Sequence, residues 1–148
     1  MAILLNNKAG LKLGSSSPAN IDLTQWVTNI SITRSFDELE VTALGDTGHK
    51  MVKGLEASTI TVDFLNDQGS SGVLQTLQTL WGSNAYFKII GSTDTTTYPV
   101  GAGNPIYTGL VLINSTTDVN GAVGDLQTQS LTFNVSGSIS VATTGTWT

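Results

Sequence analysis

The chain has 148 residues, enough for one domain with a sizeable core. Only 11% of its residues are charged, and 22 threonines and 15 serines supply most of the polarity. The net charge of −5 and a scattered set of basic residues argue against a protein that grips nucleic acid, which needs clustered lysine and arginine. The absence of cysteine excludes disulfides, thiolate nucleophiles and zinc–thiolate sites.

A surface poor in charge is unusual for a free monomer and natural for a protein covered by partners. Extracellular β-modules rich in threonine and serine are the alternative. The start, MAILLNNK, lacks the basic region of a signal peptide. No apolar run approaches the ~20 residues of a membrane helix. We therefore expect synthesis in a cytoplasm and no membrane partner.

Most of the chain shows the period-two alternation of β-strands. It is clear at Ile60, Val62 and Phe64, which alternate with Thr59, Thr61 and Asp63. It is cleanest from Leu131 to Val141. Further strands are predicted at Val27–Ser35, Glu38–Ala43, Ala85–Gly91 and Ile106–Ser115. The run IYTGLVLI is apolar on both faces, which favours a position in the middle of a sheet or under a helix.

One segment, SSGVLQTLQTLWG, predicts a helix at about 70–81. Its apolar residues have the spacing of one helix face: Val73, Leu74, Leu77, Leu80 and Trp81. Ser70 or Ser71 is expected to cap its start, and Gly82 suits the residue after its end. The predicted fold is mainly β. It is a β-sandwich or partly closed barrel of antiparallel strands with one flanking α-helix, in a single domain over 1–148.

Three segments are predicted to lie outside the strands and the helix. Leu44–Leu55 is spaced by glycine and is too long for a tight hairpin, Gly91–Pro105 is a long polar loop, and ATTGTWT is a free or partner-bound tail. The first of these holds His49, the chain's only histidine.

No catalytic or metal site is predicted. A Ser-His-Asp site would have to use His49, and the sequence has no G-x-S-x-G turn. Asp37, Glu38 and Glu40 cluster in sequence, but they lack histidine or a calcium-loop spacing. GDTGHK lacks the glycine spacing of a phosphate-binding loop. We expect no cofactor and interpret the protein as a non-enzyme, with a small hydrolase that uses His49 as an alternative.

The order of elements resembles that of a known family. The segments are FDELEVTALGDTGHKMVKGLEASTITVDFLND, the helix with its Leu/Trp stripe, and NPIYTGLVLINSTTDVNGAVGDLQTQSLTFNVSGSI. Together they resemble the major tail proteins, or tail tube proteins, of long-tailed bacteriophages with non-contractile tails (siphophages). The resemblance covers roughly Thr28 to Val141 and is a pattern of elements without an invariant motif.

The resemblance implies a virion protein of the tail, made in the cytoplasm of a bacterial host. In this family the fold is shared with the tubes of contractile tails and of type VI secretion. Hexameric rings self-assemble into a stacked tube through which DNA is ejected without specific binding. Other tail proteins, namely the terminator, tape measure and distal tail proteins, are the implied partners. A tail terminator or a secretion-type tube protein would share this fold.

The resemblance also implies that the long loop, at about 44–55, reaches an adjacent subunit and that the N- and C-terminal segments act as assembly arms. Glycines make the loop pliable, and Met51, Val52 and Leu55 are its apolar anchors; a flexible surface loop is the alternative. The predicted inter-subunit residues are Gly45, Asp46, Gly48, His49, Lys50, Met51, Val52, Lys53, Gly54 and Leu55.

Polar strand faces are candidates to line the channel of such a tube. By alternation these are Thr59, Thr61, Asp63, Thr132, Asn134, Ser136 and Ser138. An ordinary solvent-facing side of the sheet is the alternative for each. The competing function is a non-catalytic carbohydrate-binding β-sandwich module, for which Trp26, Tyr98 and Tyr107 would be the exposed aromatic platform.

Overall fold

The computed structural model describes residues 7–147. Within that range the chain forms nine β-strands, one α-helix and a short 3-10 turn at Thr24–Trp26. The elements are β1 Gly10–Gly14, β2 Ile21–Asp22, β3 Val27–Thr33, β4 Phe36–Glu40, β5 Met51–Glu56, β6 Thr59–Leu65, α1 Val73–Leu80, β7 Asn84–Ile90, β8 Ile106–Leu112 and β9 Thr128–Ala142.

Seven of the strands form one antiparallel sheet in the order β2-β1-β7-β8-β9-β6-β3. The sheet curls into a half-barrel, and β4 and β5 form a separate two-stranded sheet. This confirms the predicted mainly-β, partly closed barrel with one helix. β8 lies between β7 and β9, as its two apolar faces predicted.

The curl of the sheet depends on β9, which is 15 residues long. Its first half pairs with β6, from Thr128 to Asn134, and its second half pairs with β8. A register shift interrupts the β8 pairing, and Gly137 lies there with φ +85°, a conformation that favours glycine. β9 therefore joins the two halves of the sheet.

The main core lies between one face of the half-barrel and α1. The alternating residues of β6 and β9 point into it, as the sequence predicted, except that Val141 is 41% exposed. The largest fully buried side chains are Phe64, Phe87, Leu23, Leu77, Ile90 and Ile113. Burial of such side chains is the main favourable term in folding.

The helix differs from its prediction at both ends. It begins at Val73 after Gly72, and no side chain caps it, so the predicted serine cap is wrong. The Ser71 N–H instead donates to Gln75 Oε1 over 2.7 Å. Trp81 is exposed, and Thr76 lies in the buried stripe with Val73, Leu77 and Leu80. Trp81 leaves the stripe because the helix ends at Leu80 and the chain turns into an extended conformation.

The sequence pattern did not predict the strands β1 and β2. GLKLG is short and has a lysine between its leucines. Its pairing with β7, from Gly10↔Ile90 to Gly14↔Tyr86, makes it a strand. β2 has only two residues and depends on β1.

The end of the chain is held on its own sheet, so the predicted tail is not free as far as Trp147. Trp147 is 7% exposed and packs against Ile90 and Ile106. Gly10, Ile90, Ile106 and Ala142 form one row across four strands, on the face opposite the main core. The predicted N-terminal arm begins in residues 1–6, which lie outside the described residues.

Candidate interaction surfaces

The segment predicted as a long loop is half strand. Met51–Leu55 belongs to β5, which pairs with β4 in the register Glu38↔Lys53, Leu39↔Val52 and Glu40↔Met51. Only residues 41–50 connect the two strands. The sequence pattern did not predict β5, because MVKGLE contains a glycine and shows no clear alternation of apolar and polar residues. The segment is a strand because its backbone pairs with β4.

This β4–β5 hairpin exposes an unusual amount of apolar surface. Leu44 is 106% exposed and Leu55 is 81% exposed. The exposed apolar side chains of the hairpin are Phe36, Leu39, Val41, Leu44, Met51, Val52 and Leu55. Three of them, Phe36, Leu39 and Val41, lie before the predicted loop, in the segment FDELEV. So many exposed apolar side chains on one element of a small protein mark an interaction site.

Two close side-chain contacts shape the tip of the hairpin. His49 Nδ1 lies 2.5 Å from Glu40 Oε1, and Lys50 Nζ lies 2.6 Å from Asp46 Oδ1. The His49 contact, followed by the Thr42 hydroxyl, lowers the pKa of Glu40. The Lys50 contact, followed by the backbone N–H of Ala43, lowers the pKa of Asp46. His49 is thus a surface residue that orders the tip.

The base of the hairpin joins the body at Ser35 and Ala57. The Ala57 N–H donates to the Ser35 carbonyl over 2.8 Å, and the Ser35 hydroxyl donates to the Ala57 carbonyl over 2.7 Å. Glu56 accepts a bond from the Ile139 N–H over 3.0 Å. Along the hairpin itself, Lys53 Nζ lies 4.3 Å from the centroid of the Phe36 ring. The hairpin is therefore anchored at its base and projects from the sheet.

The polar face predicted from alternation exists on β6 and the first half of β9. Thr59 faces Asn134 and Thr61 faces Thr132, with 3.2 Å between the two hydroxyl oxygens of the second pair. Asp63 faces Ser130 and accepts a bond from Asn29 Nδ2 over 3.3 Å. The strand register also places four further polar residues on this face: Asn29, Ser31, Thr33 and Ser130. The sequence pattern did not identify these residues, because it does not show that β3 pairs with β6.

Ser136 and Ser138 lie apart from the other five, on the second half of β9. Ser136 faces Leu110 of β8. Both serines line a surface hollow with Lys88, Thr108 and Ser140. The structure therefore brings five of the predicted polar residues into one patch and places two in a neighbouring one.

The three aromatic residues considered for carbohydrate binding do not form an exposed platform. Trp26 and Tyr107 are half-buried against the main core, and the Arg34 guanidinium lies 5.5 Å from the Tyr107 ring centroid. Tyr98 is also half-buried, in the 91–105 loop, where Asn104 Nδ2 donates to its carbonyl over 2.8 Å. The half-burial of all three rings counts against the alternative of a carbohydrate-binding module.

Residues 7–147 contain no group of three or more acidic or histidine side chains placed to hold a metal ion. Asp37, Glu38 and Glu40 lie along the exposed strand β4. Within the same range no helix is long and apolar enough to span a membrane.

The sequence matches no protein-family model and no curated protein. Two solved structures are similar in fold. A chain of the virion of a native gene transfer agent particle has a TM-score of 0.65 at 14% identity, covering 89% of this chain and 95% of that one. A chain from the tail of an empty gene transfer agent particle, refined with helical and C6 symmetry, has a TM-score of 0.66 at 17% identity, covering 95% and 99%. The protein therefore has the fold of a component of these virion and tail particles, in agreement with its resemblance to tail proteins.

Proposed function

We propose that this protein is a structural virion protein whose copies form hexameric rings stacked into a tail tube. The observation that carries this proposal is the β4–β5 hairpin. It is a two-stranded sheet separate from the main sheet, with its apolar side chains exposed. A two-stranded hairpin alone in water is marginally stable. Contact with a neighbouring copy would bury those side chains and stabilise the hairpin.

The open half-barrel supports the same proposal. Its edge strands are β3, with seven residues, and β2, with two. An unpaired edge as long as β3 is a template for another strand. In a ring, strands of adjacent copies would extend the sheet and cover that edge.

The solved neighbours support a tubular arrangement with six-fold rings. One of them is described as a tail with C6 symmetry from helical refinement. We propose the same arrangement here, with tail terminator, tape measure and distal tail proteins as further partners. The protein would be made in the host cytoplasm and end in the virion tail, without catalysis or a cofactor.

The polar patch suits a conduit for DNA. Thr59, Thr61, Thr132 and Asn134 present hydroxyl and amide groups without positive charge, and Asp63 is acidic. A channel that binds phosphate tightly would hold DNA in place, since each lysine or arginine contact adds affinity. We propose that this patch, with Ser136 and Ser138 beside it, faces the lumen.

Negative-stain electron microscopy with light scattering, at rising protein concentration, tests the proposal. The wild-type protein should form rings or stacked tubes. The variant Leu44→Ser/Leu55→Ser should lose them while keeping its thermal stability, because exposed positions contribute within about 0.5 kcal/mol. Val141→Ser, an exposed apolar residue on β9, is the matched control and should assemble normally. A wild-type protein that stays monomeric, even with preformed tail tips as initiators, would contradict the proposal.

A further inference from the structure

The β8–β9 loop, residues 113–127, contains the only asparagine in the sequence that is followed by glycine. Asn120 and Gly121 are both exposed, and they lie outside the strands and the helix. Gly121 has φ +134°, a conformation in which a residue with a Cβ is strained. The backbone nitrogen that follows Asn120 therefore belongs to a glycine, and no side chain shields it.

An asparagine followed by glycine can lose its side-chain amide without an enzyme. The backbone nitrogen of Gly121 gives up its proton to solvent and attacks the side-chain carbonyl carbon, Cγ, of Asn120. The bond from Cγ to the amide nitrogen breaks, and ammonia leaves after taking a proton from solvent. Water then opens the five-membered succinimide to aspartate or isoaspartate. The net change is the uptake of water and the release of ammonia, with no oxidation and no cofactor.

The fold leaves the attacking nitrogen available. Among residues 7–147, no acceptor receives a hydrogen bond from the Gly121 N–H. The apolar side chains around it are not packed, since Val119 is 81% exposed and Val123 is 106% exposed. A segment with few buried contacts changes conformation at little cost in free energy. This part of the loop can therefore adopt the bent geometry that the attack requires.

Several other asparagines are held or shielded. Three lie within paired strands, whose extended backbone keeps the next nitrogen away from the side chain: Asn29, Asn84 and Asn134. Asn104 is 4% exposed, and Pro105 after it has no N–H to lose. Asn114 is exposed and lies in the same loop as Asn120, but the side chain of Ser115 shields the following nitrogen. Asn114 is therefore the matched internal control.

We propose that Asn120 is a site of spontaneous deamidation and that this change releases part of the β8–β9 loop from β9. Asn120 Nδ2 donates to the carbonyl of Thr128, the first residue of β9, over 2.9 Å. Either product carries a carboxylate, which has no proton to donate and repels that carbonyl oxygen. The inference does not depend on the proposed tube.

The released part of the loop is bounded by hydrogen bonds that do not involve Asn120. On one side, the Thr117 N–H donates to Gln129 Oε1 over 3.0 Å, and Gln78 Nε2 donates to Asp118 Oδ2 over 3.0 Å. On the other side, the Asn66 N–H donates to the Gln127 carbonyl over 2.9 Å. Deamidation should therefore loosen residues 119–126 and leave the rest of the loop in place.

Peptide mapping by mass spectrometry tests the site on the folded protein kept in warm, mildly alkaline buffer. Deamidation should appear at Asn120 earlier than at Asn114, at a rate within an order of magnitude of that in a synthetic peptide of residues 113–128. Both aspartate and isoaspartate should form, because the succinimide opens at either carbonyl. A larger slowing relative to the peptide, or a rate at Asn120 no higher than at Asn114, would overturn the proposal. Aspartate without isoaspartate would overturn the succinimide route.

Two variants with the same added charge test the release of the loop. Asn120→Asp reproduces one product without incubation, and a protease that cleaves beside exposed apolar residues should cut residues 119–126 several-fold faster than in wild type. Asn114→Asp adds the same charge in the same loop and should be cut at the wild-type rate. Equal cleavage of Asn120→Asp and wild type would show that the bond to Thr128 does not hold the loop.

Discussion

At the scale of single residues, Trp147 holds the end of the chain on the outer face of the sheet. Its ring packs on Ile90 and Ile106, and the ammonium of Lys12 lies 4.7 Å from the ring centroid. Lys12 Nζ donates to the Trp147 carbonyl over 2.7 Å, and Lys88 Nζ donates to the Thr146 carbonyl over 2.8 Å. Burial, followed by the nearby Lys12 charge, lowers the pKa of Lys88. The contact thus combines apolar packing with hydrogen bonds that satisfy two partly buried cations.

We predict that Trp147→Ala lowers the free energy of unfolding by up to about 3 kcal/mol, the low end for a buried tryptophan, because a terminal segment can detach. Gly10→Ala should cost about 1–3 kcal/mol, since its Cβ would lie 2.5 Å from Trp147 Cζ2. Urea denaturation measures both.

The double variant Gly10→Ala/Trp147→Ala separates packing from backbone effects. The two costs should be less than additive, because loss of the indole removes the contact with Trp147 and leaves only the contact of the new methyl group with Thr93 Cγ2 at 2.6 Å. Fully additive costs would show that Gly10 matters for some other reason. Thr144→Ala, at an exposed position of the same segment, is the control and should change stability little.

The acidic residues of the hairpin tip predict a dependence on pH. Contacts to His49 and Lys50 lower the native pKa of Glu40 and Asp46, so the unfolded tip binds protons more readily. Their stabilisation is complete above the ordinary values of 4.5 and 3.8 and is lost as the pH falls through the lowered native values. Amide exchange of residues 41–50, corrected for intrinsic rate, should therefore accelerate in acid. Glu40→Gln should weaken this dependence; an unchanged profile would contradict the assignment.

At the scale of elements, the two sheets differ in how they are supported. The seven-stranded sheet buries one face on α1, while β4 is exposed along its length and pairs only with β5. Pairing without a buried face leaves the hairpin near the limit of independent stability. We therefore expect the element proposed to make the contact between copies to open more easily than the seven-stranded sheet.

Hydrogen exchange measures this difference directly. In the isolated protein, amides of β4 and β5 should exchange far faster than those of β6 and the paired half of β9, because opening the hairpin exposes little additional apolar surface. In assembled tubes the hairpin amides should become protected. If they are as protected as β6 in the monomer, the hairpin is stable alone and its exposed side chains need another explanation.

At the scale of the whole molecule, the negative net charge and the polar patch on β6 and β9 both disfavour tight binding of DNA. The net charge is −5, and Thr61 and Thr132 face each other without a cation between them. Such a surface attracts phosphate weakly, since affinity for DNA comes mainly from released counterions. A tube lined in this way would let DNA slide.

Assembled wild-type tubes should not retain a short linear duplex at physiological salt. Thr61→Lys/Thr132→Lys should retain it in a form resistant to nuclease, because DNA held inside the tube is shielded. Gln25→Lys/Thr79→Lys adds the same charge at other exposed positions and should leave any bound DNA open to digestion. Retained DNA that stays digestible in the first variant would place the patch outside the channel.

Local pattern predicted a large share of the fold. The alternation at Ile60, Val62 and Phe64 located β6, and the apolar spacing at Leu77 and Leu80 located α1. Boundaries were less accurate, because the end of an element depends on where its partner ends. Of the hairpin, the sequence pattern predicted residues 44–55 as a loop, although Met51–Glu56 is a strand, because the pairing of β5 with β4 is not visible in the local pattern.

The sequence by itself determined the fold class, the polar character of the β6 and β9 faces, and the low content of basic residues, because side-chain alternation and composition are local properties. Only the tertiary structure decided that MVKGLE is a strand and that Trp147 folds back onto Ile90. These features depend on contacts between residues distant in sequence, and no local period encodes which strands will pair.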